Sequence, residues 1–367
     1  MPFLSSFACL VPALLALSEG DATKLEDSLK SAVKAEHDAG RFDGVVLVAR
    51  DDRILGEYAF GRANRAFGAP HRADKPFPVA SVTKQFVAVM VLQQVERGAI
   101  ALDDPLSKHL DGLDRPWGCR VTLRHLLAHT SGLPQPDAVI PDFYTRPDLA
   151  PNAVALAKLL AEHEPQAAPD GAFSYNNADT IYLGAVLETI VRKPLADVLR
   201  ESIAGPLGLK STGLIVGREV IEGLPEDYDL EGGAVKRAPH QELANYGGAG
   251  AAYSTLRDLW AFDRALISGK LLKPESHALM IASSPQSGYA GLGCWCYPLA
   301  FEGGATYQIV ERHGSIGAYN VVNLYVPDAE SCIVIACNLS TFAEPRTWGK
   351  QGLAYELLRR AIEGEAR

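Results

Sequence analysis

Apolar residues recur along this chain at two different periods, and the period changes with position. Residues 22–39 read as an amphipathic helix ending at Gly40. The stretch "FDGVVLVARDDRILGEYAFG" then gives two β-rich runs around an Asp51-Asp52 turn, the signature of a hairpin. A Pro-broken, extended lead-in at Pro76 opens into the most hydrophobic helix pattern of the chain, "SVTKQFVAVMVLQQVERG". The run "RVTLRHLLAHTSGLPQP" predicts a helix stopped by Gly132 and Pro134. From Pro134 to Pro169 the chain is Pro-rich and irregular, with one helix pattern at "APNAVALAKLLAEHEP". A helical section follows from Ala178 to Leu199, then a loop-rich segment over residues 205–252. After a helix at "TLRDLWAFDRALISG" the period falls to two. "GLGCWCYPLA", "TYQIVERHG", "YNVVNLYVP" and "SCIVIACNL" read as strands, and "KQGLAYELLRRAIEGE" as a closing helix.

Strands near both ends flank a helical middle. The terminal elements are expected to combine into one α/β lobe, residues 21–80 and 250–367, with an all-helical lobe inserted over residues 81–249. The helix that begins near Ser81 stands where one lobe hands over to the other, a natural place for a cleft.

Ser81 and Lys84 lie three residues apart at the first turn of that helix, so their side chains share a face. Serine there can serve as an N-cap. Lysine at the same end opposes the helix dipole. The helix is apolar beyond them, with Phe86, Val87, Val89, Met90, Val91 and Leu92. A half-buried amine loses solvation, its pKa falls, and its neutral form can take a proton from a neighbouring hydroxyl. S-x-x-K is short and recurs by chance, so the rest of the chain must decide between a capped helix and an activated nucleophile.

The 367 residues are 47% hydrophobic and 22% charged, the make-up of a globular chain long enough to bury a sizeable core. A net charge of -9 with no Arg/Lys cluster argues against a nucleic-acid partner and leaves a small molecule or short peptide as the expected one. The apolar run Phe7 to Leu17 is too short to span a bilayer, and "ALS" ending at Ser18 resembles a cleavage site. A signal peptide over residues 1–20 and a periplasmic or secreted product are expected, although no Lys or Arg precedes the run. Of six cysteines, five would remain after removal of Cys9, and an odd count does not read as a disulfide framework. Cys294, Cys296, Cys332 and Cys337 read as buried small hydrophobes. With no C-x-x-C pair and no H-E-x-x-H, no metal is expected.

A serine nucleophile needs a base, a proton donor for the leaving group and an oxyanion site. "PDGAFSYNNADTIYLG" offers Tyr175 and Asn177 in a turn before a helix pattern, and "ERHGSIGAYNVV" offers Arg312, His313 and then Gly314, where a backbone approaches closely. Singly, each has a plain structural reading: a core aromatic, an N-cap, a strand end. Together and in this order they resemble the penicillin-recognising serine hydrolases, which include class C β-lactamases, D-Ala-D-Ala peptidases, D-aminopeptidases and related esterases. "SVTK" matches their S-x-x-K, "YNN" matches Y-x-N, and "LLAHTSGL", "PLGLKST" and "GGAGAAYSTLRDL" look like family segments. The resemblance runs over residues 35–360. It implies an α+β, β-lactamase/transpeptidase-like fold: an antiparallel sheet flanked by helices, with an inserted all-helical lobe. It implies a single catalytic domain over residues 21–367 and no cofactor.

The third family motif, K-T-G or H-x-G, is not reproduced. Starting at His313 gives H-G-S and loses the glycine; starting at Arg312 gives "RHG", keeps Gly314 and aligns "SIGAY" without a gap. The second register is preferred. The resemblance then implies Ser81 as nucleophile, Lys84 and Tyr175 as the groups that take its proton, and Tyr175 as donor to the leaving group. It implies an oxyanion hole from the backbone amides of Ser81 and Ser315, with Asn177, Arg312, His313 and Gly314 forming the substrate-binding side. Arg312 stays charged and can bind a substrate carboxylate, but it is a poor proton shuttle. His129 of "HTSGL" is implied to be structural. The expected activity is an esterase or a D-amino-acid peptidase acting through an acyl-enzyme. Two competing readings are a penicillin-binding or peptidoglycan-sensing module that acylates without turnover, and a true class C-like β-lactamase.

Overall fold

The computed structural model describes residues 19–363 except Ala343 and Arg346; the expected leader, as far as Ser18, lies outside the described residues. Strands β1 (Gly44–Arg50) and β2 (Arg53–Phe60) form the hairpin, turning at Asp51, whose φ of +54° suits a tight turn. Later in the chain β3 (Trp295–Ala300), β4 (Thr306–Ile316), β5 (Tyr319–Val326) and β6 (Ser331–Cys337) make a meander. The two units join where β1 pairs with β6, Val46 opposite Ile335, giving six antiparallel strands in the order β3-β4-β5-β6-β1-β2.

Six helices set the layers: α1 (Glu19–Asp38), α2 (Thr83–Glu96), α3 (Ala153–Leu160), α4 (Asn177–Val191), α5 (Leu256–Ile267) and α6 (Gly352–Glu363). Successive strand residues face opposite sides. Val46, Val48, Ile333 and Ile335 therefore join one core with Leu25, Leu29 and Val33 of α1 and Leu353, Leu357 and Leu358 of α6. Val45, Leu47, Val334 and Ala336 join the other, against α2 and α5, where Phe86 and Phe262 meet edge to face at 4.7 Å. Helix α2 is buried from Thr83 to Gln94 because α4 and the short helix Leu195–Leu199 pack on the side away from the sheet. A helix buried on every face, Lys84, Gln85, Gln93 and Gln94 included, must be sandwiched in this way. Its first turn consequently opens on the seam between the sheet and the helical section.

The structure differs from the sequence expectations in detail. Ser81 is not an N-cap: it lies in a 3-10 turn, Ala80–Val82, and the residue that does cap α2, Val82, makes no side-chain cap bond. The helix predicted to run to Gly132 is only Leu123–Leu127, because His129 adopts a left-handed φ of +55° and its polar groups are recruited elsewhere. A helix at Pro274–Ile281 was not among the predicted elements. Cys294, Cys296, Cys332 and Cys337 are buried free thiols. Among the described residues, no helix is long and apolar enough to cross a membrane, and no group of three or more metal-binding side chains occurs.

Candidate active site

The backbone is gripped on both sides of Ser81. The Val79 amide donates to Ala252 O (2.9 Å), and the Ala252 amide donates to Thr83 Oγ1 (3.0 Å), which itself donates to Ala80 O (2.6 Å). Between these ties Ala80 takes φ +47°, a conformation that costs energy for any residue with a Cβ and is retained only where its surroundings enforce it. Ser81, half-buried, then lines a cleft of about 700 Å³ together with Tyr175, Trp295, His313, Ser315 and Asn320.

Ser81 Oγ lies 2.8 Å from the Tyr175 hydroxyl and 3.2 Å from Lys84 Nζ. Lys84 is fully buried and makes two shorter bonds, to Asn177 Oδ1 (2.8 Å) and Ala249 O (2.7 Å). Those two acceptors are fixed. When the amine loses a proton they keep its two remaining hydrogens, and the lone pair is left to face Ser81. Burial lowers the Lys84 pKa to about 8, against the opposing pull of Tyr175. Burial acts the other way on Tyr175, but Arg312 and Lys84 outweigh it and bring the phenol down to about 8. The two groups face each other and titrate as a pair near neutrality.

Strand β4 delivers Arg312 to the back of this pair. Arg312 Nη2 donates to the Tyr175 hydroxyl (2.7 Å) and Nε to Ser81 O (2.9 Å), and the guanidinium lies 4.5 Å from the Trp295 ring centre. Gly314 is what lets the strand come so close. A Cβ there would stand 2.4 Å from Val79 O and 2.9 Å from Ser81 N. His313 alternates to the other side of β4, with Nε2 3.5 Å from the Glu311 carboxylate, so Arg312 and not His313 is the cation that turns toward Ser81. Ser315 is exposed at the cleft.

Two of the expected substrate-binding residues have their polar groups engaged within the protein. Arg312 is only 1% exposed and engaged with Tyr175 and Ser81, so it is not presented to a substrate carboxylate. Asn177 bonds Lys84 through Oδ1 (2.8 Å) and the Tyr144 hydroxyl through Nδ2 (2.9 Å). Several participants went unread in the sequence: Tyr144, Trp295 and the carbonyl of Ala249. Only the glycine run "NYGGAG" hinted at the last. A Cβ on Gly248 would meet Thr180 O at 2.4 Å, so that glycine lets residue 249 reach across to Lys84.

Comparison with known proteins bears on this arrangement. The family described as Beta-lactamase matches residues 29–355. Esterase EstB of Burkholderia gladioli is 33% identical over 233 residues, covering 57% of this chain and 55% of that protein. The D-alanyl-D-alanine-carboxypeptidase/endopeptidase AmpH of Escherichia coli is 27% identical over 241 residues, covering 64% of this chain and 60% of that protein. The chain therefore spans little more than half the length of these two relatives. A crystal structure of D-amino acid amidase from Ochrobactrum anthropi superposes with a TM-score of 0.75 at 22% identity, covering 93% of this chain and 98% of that one. That likeness bears on the fold alone, which is the β-lactamase/transpeptidase-like fold.

Proposed function

The chain belongs to the beta-lactamase family of serine hydrolases, and we propose that this member cleaves esters, or amides of D-amino acids, through an acyl-enzyme on Ser81. The observation that carries the reading is the contact of Ser81 Oγ with both Tyr175 (2.8 Å) and Lys84 (3.2 Å), each with a pKa near 8. A base with a pKa near the working pH is the useful one.

In the proposed cycle Ser81 Oγ attacks the substrate carbonyl as its proton passes to the Tyr175 phenolate, while Lys84 and Arg312 stay protonated and hold the phenolate in place. The tetrahedral oxyanion is received by the backbone amides of Ser81 and Ser315, a role supported by the approach of Gly314 to Ser81 N. One such donor is worth about 3 kcal/mol of transition-state stabilisation. Collapse breaks the bond to the leaving group, which takes the proton from Tyr175. Water then gives its proton to the same phenolate, attacks the acyl ester, and Ser81 leaves with that proton.

Burial of Arg312 behind Tyr175 favours substrates without a free carboxylate beside the scissile bond, and so ester or amide cleavage over hydrolysis of penicillins. We place the reaction outside the cytoplasm, a reading supported by the apolar run Phe7 to Leu17 and the small residues ending at Ser18. N-terminal sequencing of the exported protein tests that point. The test of the activity is intact mass after incubation with a fluorophosphonate and, separately, with a penicillin. The expected outcome is one fluorophosphonate adduct on Ser81, no lasting penicillin adduct, and p-nitrophenyl acetate hydrolysis that Ser81→Ala reduces at least about 1,000-fold. Full activity in Ser81→Ala would overturn the assignment.

A further inference from the structure

Lys84 and Arg312 bring two buried cations to one phenol. The buried carboxyl group within charge range of Lys84 is Asp179, in the first turn of α4, two residues beyond Asn177. Both of its oxygens are engaged. Ser131 Oγ accepts from the Leu133 amide (3.1 Å) and so turns its own proton to Asp179 Oδ1 (2.5 Å). His129 Nδ1 stands 2.8 Å from Oδ2. The Asn176 amide approaches the same ring nitrogen at only 3.4 Å, beyond ordinary hydrogen-bond length, so the carboxyl group has the stronger claim on Nδ1.

The other ring nitrogen, Nε2, is buried without a hydrogen-bond partner among the described residues. A proton on Nδ1 leaves Nε2 as an unused acceptor, whereas the alternative buries an unused N–H donor, the rarer and costlier arrangement. Asp179 is then a double acceptor, as an ionised carboxylate is. Burial pushes its pKa well above the usual carboxylate range, and the Ser131 bond and Lys84 pull it back.

His129 in turn braces the Tyr175 turn. Its ring packs on the Tyr175 ring with centres 4.8 Å apart, and its carbonyl accepts from the Ser174 amide at 2.8 Å. Further along the same loop, Gln135 Nε2 donates to Tyr175 O (2.7 Å) and Gln135 Oε1 accepts from the Asn177 amide (3.2 Å).

We propose that Asp179 is a positioning residue of the acyl-transfer site: it locks the His129 loop on which Tyr175 rests and supplies the negative charge that keeps Lys84 protonated while Tyr175 is ionised. This rests on the reading of Ser81, Lys84 and Tyr175 as the reacting groups. The titratable groups that face Asp179 are His129 on the loop, Lys84 on α2 and Tyr182 on its own helix; Tyr175 and Arg312 face Lys84 in turn.

The test is the rate at which a fluorophosphonate labels Ser81, followed by intact mass across the neutral and alkaline range, in the wild type, Asp179→Asn and Ser131→Ala. In this step Ser81 Oγ bonds to phosphorus, fluoride leaves, and the serine proton goes to the base. Asp179→Asn is expected to slow labelling at least about tenfold at its plateau and to move the alkaline limb to lower pH, because the lost anion loosens Lys84's hold on the proton it must keep. Ser131→Ala keeps the carboxyl group and is expected to slow labelling about two- to fivefold, with a smaller movement of the limb than in Asp179→Asn. A purely structural role for Asp179 would slow labelling without moving the limb and would overturn the charge assignment. Wild-type rate and limb in Asp179→Asn would overturn the proposal altogether, with the assignment of Ser81 intact. A wild type not labelled at Ser81 would instead remove the underlying reading. If Asp179→Asn does not fold, Ser131→Ala decides: slower labelling supports the positioning role, and an unchanged rate refutes it.

Discussion

Arg312→Met removes a buried charge while keeping most of the side chain's volume, and its effect can be worked out from the geometry. Nη2 is 2.7 Å from the Tyr175 oxygen. With the charge centres about 4 Å apart and an effective dielectric of about 20, the cation stabilises the phenolate by about 4 kcal/mol. That is a factor of about 1,000 in the ionisation constant. The phenol, now near 8, should return toward the ordinary tyrosine value of about 10 or pass it, since Lys84 alone remains to oppose burial. The acid limb of kcat/KM on a short acyl ester should move up with it, and kcat/KM at pH 7 should fall about 100- to 1,000-fold. Ser81 O also loses a donor, a stability cost of about 1–3 kcal/mol that a melting curve reads separately. Arg312→Lys keeps the charge without the planar fork and should lose less than about tenfold, with the limb near its wild-type position. An Arg312→Met enzyme whose limb stays near pH 8 would refute the coupling, whatever its overall rate.

Three further expectations follow from single contacts. Gly314→Ala places a Cβ 2.4 Å from Val79 O and 2.9 Å from Ser81 N; it should destabilise by about 1–3 kcal/mol and slow fluorophosphonate labelling more than about tenfold, and wild-type labelling would deny that the close approach matters. Tyr144→Phe strands Asn177 Nδ2 and should lower kcat about five- to twentyfold with KM nearly unchanged; a change confined to KM would mean Tyr144 meets substrate instead. His71 lies buried against Phe77 and Asn338, and burial depresses its pKa to about 4 although Asn338 and Asp43 oppose this. The unfolded chain takes up that proton near pH 6.5 and the folded chain only near 4, so the unfolded state binds more protons in between. Stability should fall by about 3 kcal/mol as pH drops through that window, and His71→Gln should flatten the slope of Tm against pH there.

What was legible in the sequence was what short-range pattern controls. Val45 to Ala49 alternate faces because a strand has a period of two, so the hairpin and the later meander could be read locally. The apolar run from Phe86 to Leu92 implied that the α2 face carrying Lys84 is buried. Ser81 and Lys84 sit one turn apart, and that spacing alone put them on a common face. The helix through "LLAHTSGL" was overestimated because its propensity was overridden by a tertiary tie, the bond from His129 to Asp179 fifty residues on.

The protonation chemistry belongs to the folded molecule. The Lys84 amine is anchored by Asn177 and by the carbonyl of Ala249, and Tyr175 by Arg312, a residue 137 positions away. By itself the sequence determined which side chains were available and which lay one helical turn or one strand step apart. Only the tertiary structure decided that Arg312 is spent on Tyr175 and Ser81 O, and that the charge of Asp179 reaches Lys84. The reason is physical: a local pattern fixes direction along an element, whereas a pKa is set by burial and by charges a few ångströms away, which distant segments bring together only when the chain folds.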